Sequence, residues 1–303
     1  MFERILVPTD FSRPSDAALE LARTFRAAFG GAMHLLHVTT DVLVPPHAAA
    51  QHHENQLAAV KQLQDRLHAA DRSTPSTIRL VERANPAEAI KDYARTADIG
   101  LIVMGTHGRG GVAHFLLGSV AETVVRTAPC PVLTVREPRS QNAAAFRRIL
   151  VPTDFSSPSD AALDCARGIA ARLGGSIHLL HVLEEQPAEV PFGSEMFVSE
   201  LPDARLQEAR DRLSHRTSSR DREAKRVTTE VIFGTTARTI VDYAADNLFD
   251  LIVMGTHGRT GIAHLLMGSV AERVVRTATC PVVTTHTVRC LAEAAVLPMM
   301  ATA

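Results

Sequence analysis

The chain of 303 residues has no tryptophan, two tyrosines and only four cysteines. Four thiols over that length do not make a disulfide framework, and no C-x-x-C pair offers a zinc or thioredoxin-like site. Cys130 and Cys280 stand at matching places before Pro131 and Pro281, whereas Cys165 and Cys290 have no counterparts; buried reduced thiols are the expectation. Also missing is any run of about 20 apolar residues, which excludes a membrane-spanning helix. The amino terminus has no basic stretch followed by a long apolar region, so no secretory signal is expected and the default location is cytoplasmic. Net charge is nearly absent, formally -1, which removes the broad attraction behind non-specific nucleic-acid binding and makes that partner class unexpected. No G-x4-G-K-[ST] loop occurs, so P-loop hydrolysis has no support. What remains, 46% hydrophobic and 21% charged residues, is an ordinary globular composition.

What the chain does have is a repeat. Residues 1–39 align without gaps on 145–183 with 26 of 39 positions identical, and 101–134 align on 251–284 with 27 of 34 identical. The first offset is 144 and the second 150, so six extra residues lie between the blocks of the second copy. That period is too long for a solenoid and fits a duplicated domain, as does a prior of about 150 residues per domain. The expected units are 1–138 and 145–287, with a tail at 288–303. The join, Glu137-Pro138-Arg139-Ser140-Gln141-Asn142, is polar and holds a helix-breaking proline, as a linker would.

Within a copy, Ile5-Leu6-Val7 closed by Pro8 reads as a strand covered on both faces. Leu19, Ala22, Phe25 and Phe29 recur at helical spacing before a Gly30-Gly31 stop. The pattern then predicts strands at 33–38, 78–82, 101–104 and 132–135, and helices at 48–71, 87–96 and 119–128. Strands alternating with helices imply a parallel sheet with right-handed crossovers. The expected class is α/β, two tandem doubly wound domains, each with a five-stranded parallel sheet.

Ligands of such sheets bind at the carboxyl ends of strands where the strand order reverses, so the residues after the first and fourth strands are the candidates. After the fourth strand come Gly105-Thr106-His107-Gly108-Arg109-Gly110-Gly111 and then Gly118-Ser119, a G-x2-G-x9-G-S pattern that recurs at Gly255, Gly258, Gly268 and Ser269. Glycines let backbone N–H groups approach an anion without a Cβ in the way. Ser119-Val120-Ala121-Glu122 and Ser269-Val270-Ala271-Glu272 have capping-box spacing. That places each Gly-Ser pair at a helix start, where unpaired N–H groups favour phosphate. Either the serine caps the helix or it turns to the ligand; both readings stand. The helix dipole contributes only about 0.3–1 kcal/mol, while micromolar affinity needs about 8 kcal/mol. Several charge-assisted hydrogen bonds at about 1.5–3 kcal/mol each, together with burial of a base, are needed. Arg109 and Arg259 offer cations. Asp10 and Asp154 follow the first strands, where a carboxylate accepts a ribose hydroxyl, holds a phosphate-bound magnesium, or caps a turn near the next serine. Val38 and Val182 offer an apolar wall.

These residues resemble the universal stress protein family of the ATP-binding kind, in tandem form. The likeness runs from Arg4 to Thr134 and from Arg148 to Thr284. It rests on Ile-Leu-Val-Pro-Thr-Asp-Phe-Ser at 5–12 and 149–156, on His-Leu-Leu-His-Val, and on the Gly/Ser pattern with its Val-Ala-Glu continuation. The resemblance implies an adenine nucleotide alpha hydrolase-like, Rossmann-like fold. It also implies an ATP pocket lined by Pro8, Thr9, Asp10, Val38, Met104, Gly105, Thr106, His107, Gly108, Arg109, Gly118, Ser119 and Val120. In the second copy the matching residues are Pro152, Thr153, Asp154, Val182, Met254, Gly255, Thr256, His257, Gly258, Arg259, Gly268, Ser269 and Val270. Magnesium would accompany ATP at Asp10 and Asp154. Pairing through the last strands, 132–135 and 282–285, is implied too, so that the halves pack about a pseudo-twofold axis; a homodimer is a separate expectation. Family members often have glycine then proline before the third helix; this chain has Ala84-Asn85-Pro86 and Gly234-Thr235-Thr236, so equal affinity at the two sites is not implied.

His34 and His37, like His178 and His181, are three apart in a strand and therefore on opposite faces, which favours packed, hydrogen-bonded rings over a metal pair. His107 and His257 lack an orienting partner nearby in sequence, so a loop-shaping or ligand-contact role is favoured over general-base catalysis. The functional expectation is a nucleotide-binding stress-response regulator whose occupancy controls conformation or partner binding, with at most slow ATP hydrolysis. The competing readings are an ATPase or adenylyl-transferring enzyme and a chaperone-like scaffold in which nucleotide is incidental.

Overall fold

The computed structural model describes residues 2–40, 45–67, 71, 75–107, 117–136, 146–184, 201–217, 221, 226–258 and 267–285. The linker, Gly108, Arg109, Arg259, Cys290 and the tail 288–303 lie outside the described residues. The first half runs β1 (Arg4–Pro8), α1 (Arg13–Phe29), β2 (Ala32–Thr39), α2 (Ala49–Arg66), β3 (Ser76–Glu82), α3 (Pro86–Thr96), β4 (Leu101–Gly105), α4 (Ser119–Thr127) and β5 (Val132–Val135). The second runs β6 (Arg148–Pro152), α5 (Ser157–Leu173), β7 (Ser176–Leu183), α6 (Leu201–Arg216), β8 (Val227–Phe233), α7 (Thr236–Asp246), β9 (Leu251–Gly255), α8 (Ser269–Thr277) and β10 (Val282–Thr285).

The strands form one ten-stranded sheet in the order β3-β2-β1-β4-β5-β10-β9-β6-β7-β8. Pairing is parallel throughout each half and antiparallel where the halves meet, with Val283 opposite Leu133. Thr134 and Thr284 reinforce that seam by donating their hydroxyls to the carbonyls of Val282 and Val132, at 3.2 and 3.3 Å. The order reads the same from both ends, so the halves are related by a pseudo-twofold axis at the seam.

The unbroken apolar strands are explained by two cores, one on each face. Ile5 and Val7 enter the core beneath α1, while Leu6 enters the one beneath α3 and α4. The α1 side is a single cluster that runs through both halves, from Phe2 and Phe25 to Leu163 and Ile169. Phe146, just before β6, closes it with its ring 5.2 Å from that of Phe25. On the other face each half keeps its own cluster, and Leu117 and Met267 pack against both. Helix α1 stops as expected at Gly30, which is left-handed with φ 74°. Helix α2 stops earlier than its polar sequence predicts: Leu67 is already extended. Asp71, expected as the last helical residue, is helical again beyond that point, and its carboxylate is fully buried against Arg23 and Arg26 of α1 at 2.7 and 2.8 Å. A buried carboxylate requires such partners.

Candidate functional site

In each half the strand order reverses between the first and fourth strands, and a turn after β1 faces a turn after β4 across the crevice. The first turn is built around a phenylalanine in the left-handed region, Phe11 and Phe155, both at φ 67°. A bulky residue there costs about 1–2 kcal/mol, so the surroundings must hold it. Thr9 Oγ1 accepts from Phe11 N at 3.0 Å and lies 3.0 Å from Ser15 Oγ. Ser15 spends its hydrogen on the Ser12 carbonyl at 2.8 Å, so the threonine is the donor to it. Asp10 Oδ1 accepts from Ser12 N at 3.1 Å and from Ser12 Oγ at 2.5 Å, an Asx turn. Thr153, Asp154, Phe155, Ser156 and Ser159 repeat these bonds. Asp10 and Asp154 thus do cap their turns, the structural role that their sequence position allowed.

The histidines of β2 and β7 brace the same turns. His37 Nδ1 lies 2.7 Å from the Thr9 carbonyl, which only accepts, so Nδ1 carries the hydrogen; the ring packs 4.3 Å from Phe11. His181 does the same with Thr153 and Phe155. His34 meets the Tyr93 hydroxyl at 2.8 Å, and burial, helped by Arg4 and Arg79, holds its pKa below the usual imidazole value. His178 contacts Thr228 and Tyr243, and burial lowers it as well, against the opposing pull of Glu230. Tyr243 donates to Glu230 at 2.6 Å; burial first, and that bond second, push its pKa up. Among the described residues no group of three or more His, Cys, Asp or Glu is placed to hold a metal.

The second turn owes its position to Gly105. A Cβ there would lie 2.8 Å from Pro14 Cβ and 2.9 Å from the Pro14 carbonyl carbon, so only glycine lets the end of β4 touch the start of α1. Gly255 makes the same approach to Pro158. The glycine segment is pinned at both ends, because Gly118 N donates to the Thr106 carbonyl at 2.8 Å, as Gly268 does to Thr256. That bond places Gly105–His107 beside the start of α4. His107 Nδ1 lies 2.9 Å from Thr106 Oγ1, and His257 repeats the contact with Thr256.

Of the two readings left open for the serine, the capping box does not form. Helix α4 takes Gly118 as its N-cap, so Ser119 is its first residue and makes no cap bond. Glu122 N donates to the Gly118 carbonyl at 2.9 Å, so Glu122 lies one position too late to close a box. The same shift applies at Gly268 and Ser269. Ser119 is thereby left at the surface, and the first-turn N–H groups of residues 119–121 have no carbonyl four residues back within the helix.

These elements enclose a cavity of about 470 Å³ in the first half and one of about 680 Å³ in the second, both of small-molecule size. The first is lined by Pro8, Thr9, Asp10, Val38, Met104, Gly105, Thr106, His107, Gly118, Ser119 and Val120. The second is lined by Pro152, Thr153, Asp154, Val182, Met254, Gly255, Thr256, His257, Gly258, Gly268, Ser269 and Val270. Of the candidates, Gly108, Arg109 and Arg259 lie outside the described residues. Not among the expected residues are Ser15, Leu36, Ile90 and Leu117 in the first wall, and Glu184, Arg205 and Ile240 in the second; Thr236, marked in the sequence only as a departure from the family pattern, also lines the second. Leu36 and Ile90 belong to apolar patterns that mark core and pocket alike. Thr236 replaces Pro86, and its hydroxyl donates to Glu184 Oε1 at 2.6 Å, giving the second rim a polar pair where the first has a proline.

A family model described as the universal stress protein family matches residues 1–136 and again 145–286. A universal stress protein of Methanocaldococcus jannaschii is 36% identical over 139 residues, 45% of this chain and 80% of that relative. One of Mycolicibacterium smegmatis is 28% identical over 291 residues, 92% of this chain and 95% of the relative. The solved structure of a universal stress protein from Archaeoglobus fulgidus superimposes with a TM-score of 0.69 over 95% of this chain and 99% of the other. At 23% identity that likeness speaks for the fold. With a duplicated α/β core, twin cavities at the strand ends and a family match over both halves, the chain belongs to the universal stress protein family.

Proposed function

We propose that each half binds an adenine nucleotide, ATP with magnesium, in its strand-end cavity, and that occupancy regulates how the halves pack or which partner the protein meets under stress. The observation that carries this reading is the convergence, twice in one molecule, of an aspartate-bearing turn, a pinned glycine segment and a helix start on one cavity. Phosphates suit the first-turn N–H groups of α4 and α8, with Arg109 and Arg259 as cations and Ser119 and Ser269 as side-chain donors. Val38 and Val182 suit an apolar base. Magnesium would neutralise phosphate charge and take few protein ligands, as that ion usually does; Asp10 and Asp154 are the carboxylates at matching places in the two walls, and the second wall adds Glu184.

A regulatory output is supported by Leu117. It lines the first cavity, yet it also packs against the core of the second half. A ligand beside Gly118 therefore acts one residue from a side chain shared by both halves. Titration of the purified chain with magnesium and ATP, followed by steady-state phosphate release, tests the reading. Binding with at most slow turnover supports it; rapid multiple turnover would make the protein an enzyme, and absence of binding would leave a scaffold.

A further inference from the structure

We infer that Arg66 of α2 and Arg216 of α6 are positioning residues for the cavity carboxylates of Asp10 and Asp154, a role that rests on the nucleotide reading above. Helix α2 contributes no residue to the wall of the first cavity. Arg66 nevertheless reaches the turn that does. Its Nη2 donates to the Phe11 carbonyl at 3.3 Å, its Nε donates to Asp16 Oδ1 at 2.7 Å, and its guanidinium carbon sits 4.7 Å from the centre of the Phe11 ring. Arg216 repeats every contact: 3.1 Å to the Phe155 carbonyl, 2.7 Å to Asp160 Oδ1 and 4.8 Å to the Phe155 ring. One planar cation thus grips the backbone and the ring of the left-handed residue adjoining the carboxylate. Left-handed phenylalanine persists only when its surroundings over-determine it, and such strain gathers at ligand sites.

The sequence of the helix separates this clamp from ordinary packing. Residues 49–66 and 199–216, aligned at the offset of 150, agree at three of eighteen positions: Ala59 with Ala209, Leu63 with Leu213, and Arg66 with Arg216. The first two pairs are buried and are accounted for by the core. The arginine is not a core residue; what it shares between the halves is the ion pair with Asp16 or Asp160 and the hold on the phenylalanine turn, and the variants below separate the two. If the clamp is released, Phe11 loses a carbonyl partner and the face of its ring, and the Asx turn that aims Asp10 is free to relax. In the second half Arg212 adds a further cation 4.1 Å from the Phe155 ring, where the first half has Gln62. The first half, where position 62 carries no charge, is the one tested.

The experiment uses the full chain with Gly258→Val, a site where even a Cβ would meet Asp154 Oδ2 at 2.7 Å, so that calorimetric titration with magnesium and ATP reports the first cavity. Arg66→Met should weaken ATP binding about tenfold, the scale on which one strained residue is held or released. Arg66→Lys, which keeps the charge but loses the planar fork, should weaken it nearly as much. Asp16→Asn, which leaves the grip on Phe11, should change it less than about threefold. In an Asp10→Asn background, Arg66→Met should weaken affinity by less than about threefold, since only a neutral amide remains to aim. Thermal unfolding without ligand reads the purely structural share in each variant, and Arg66→Lys carries the test if Arg66→Met does not fold. An equal loss in both backgrounds, or no loss from either Arg66 variant, overturns the inference. If Asp10→Asn itself leaves affinity untouched, the nucleotide reading fails at this residue and the inference falls with it.

Discussion

Replacing Asp10 by asparagine separates charge from shape at the candidate site. The carboxylate has two duties: its Oδ1 closes the turn onto Ser12 N and Oγ, and its charge faces the cavity. Asparagine keeps an acceptor at Oδ1, so the turn survives and only the charge is lost. A hydrogen bond to a charged group contributes about 1.5–3 kcal/mol and a neutral one about 0.5–1.5. The expected loss is therefore about 1–2 kcal/mol of ligand affinity, roughly five- to thirtyfold. Asp10→Ala removes the turn acceptor as well and should lower the melting temperature besides weakening the ligand. Calorimetry with ATP and magnesium, alongside thermal unfolding of the free protein, reads both effects. The reasoning is refuted if asparagine binds ATP like the parent, or if it destabilises the free protein as much as alanine does.

Phe146→Ala should cost about 3–5 kcal/mol, because the ring is buried against Phe25 in a core common to both halves; a urea titration should show one cooperative transition, and two separated ones would contradict the shared core. Leu117→Ala should alter ATP affinity at the second cavity although Leu117 lines only the first; an unchanged second constant would remove the proposed route between halves. His34 and His178 have folded pKa values lowered from 6.5, so the unfolded chain binds more protons just below that value. Their contribution is complete above pH 6.5 and is lost as pH falls through the lowered values. Melting temperature should decline on that acid side, and the His34→Gln/His178→Gln pair should flatten the decline; a steeper decline in that pair would reverse the argument.

The fold was legible wherever local chemistry decides. Buried strands showed as apolar runs because both faces are covered, and Gly30 marked a left-handed helix end with no tertiary help. The seam was legible through family resemblance. What depends on distant contacts was not. The burial of Asp71 against Arg23 and Arg26, beyond the end of α2, is such a contact, and no local pattern reveals it. The capping box misled because Ser119 and Glu122 have the right spacing for it, while the bond between Gly118 and Thr106 fixes the helix start one residue earlier than the box requires. At the candidate site, the residues adjoining the strand ends could be named because parallel sheets place them there. Arg66, Arg205 and Leu117 could not, since each arrives from an element whose own sequence describes a helix face or a loop. Glu184 comes from the stretch where the repeat diverges, so self-comparison could not point to it, whereas Thr236 showed there only as a departure.

The central claim is that both cavities are nucleotide sites. Equilibrium titration of the full chain with ATP and magnesium, counting molecules bound per chain, measures it directly. Two bound nucleotides, with unequal constants because Glu184, Arg205 and Thr236 line only the second cavity, is the predicted result. A count of one or of zero at millimolar ATP would contradict it.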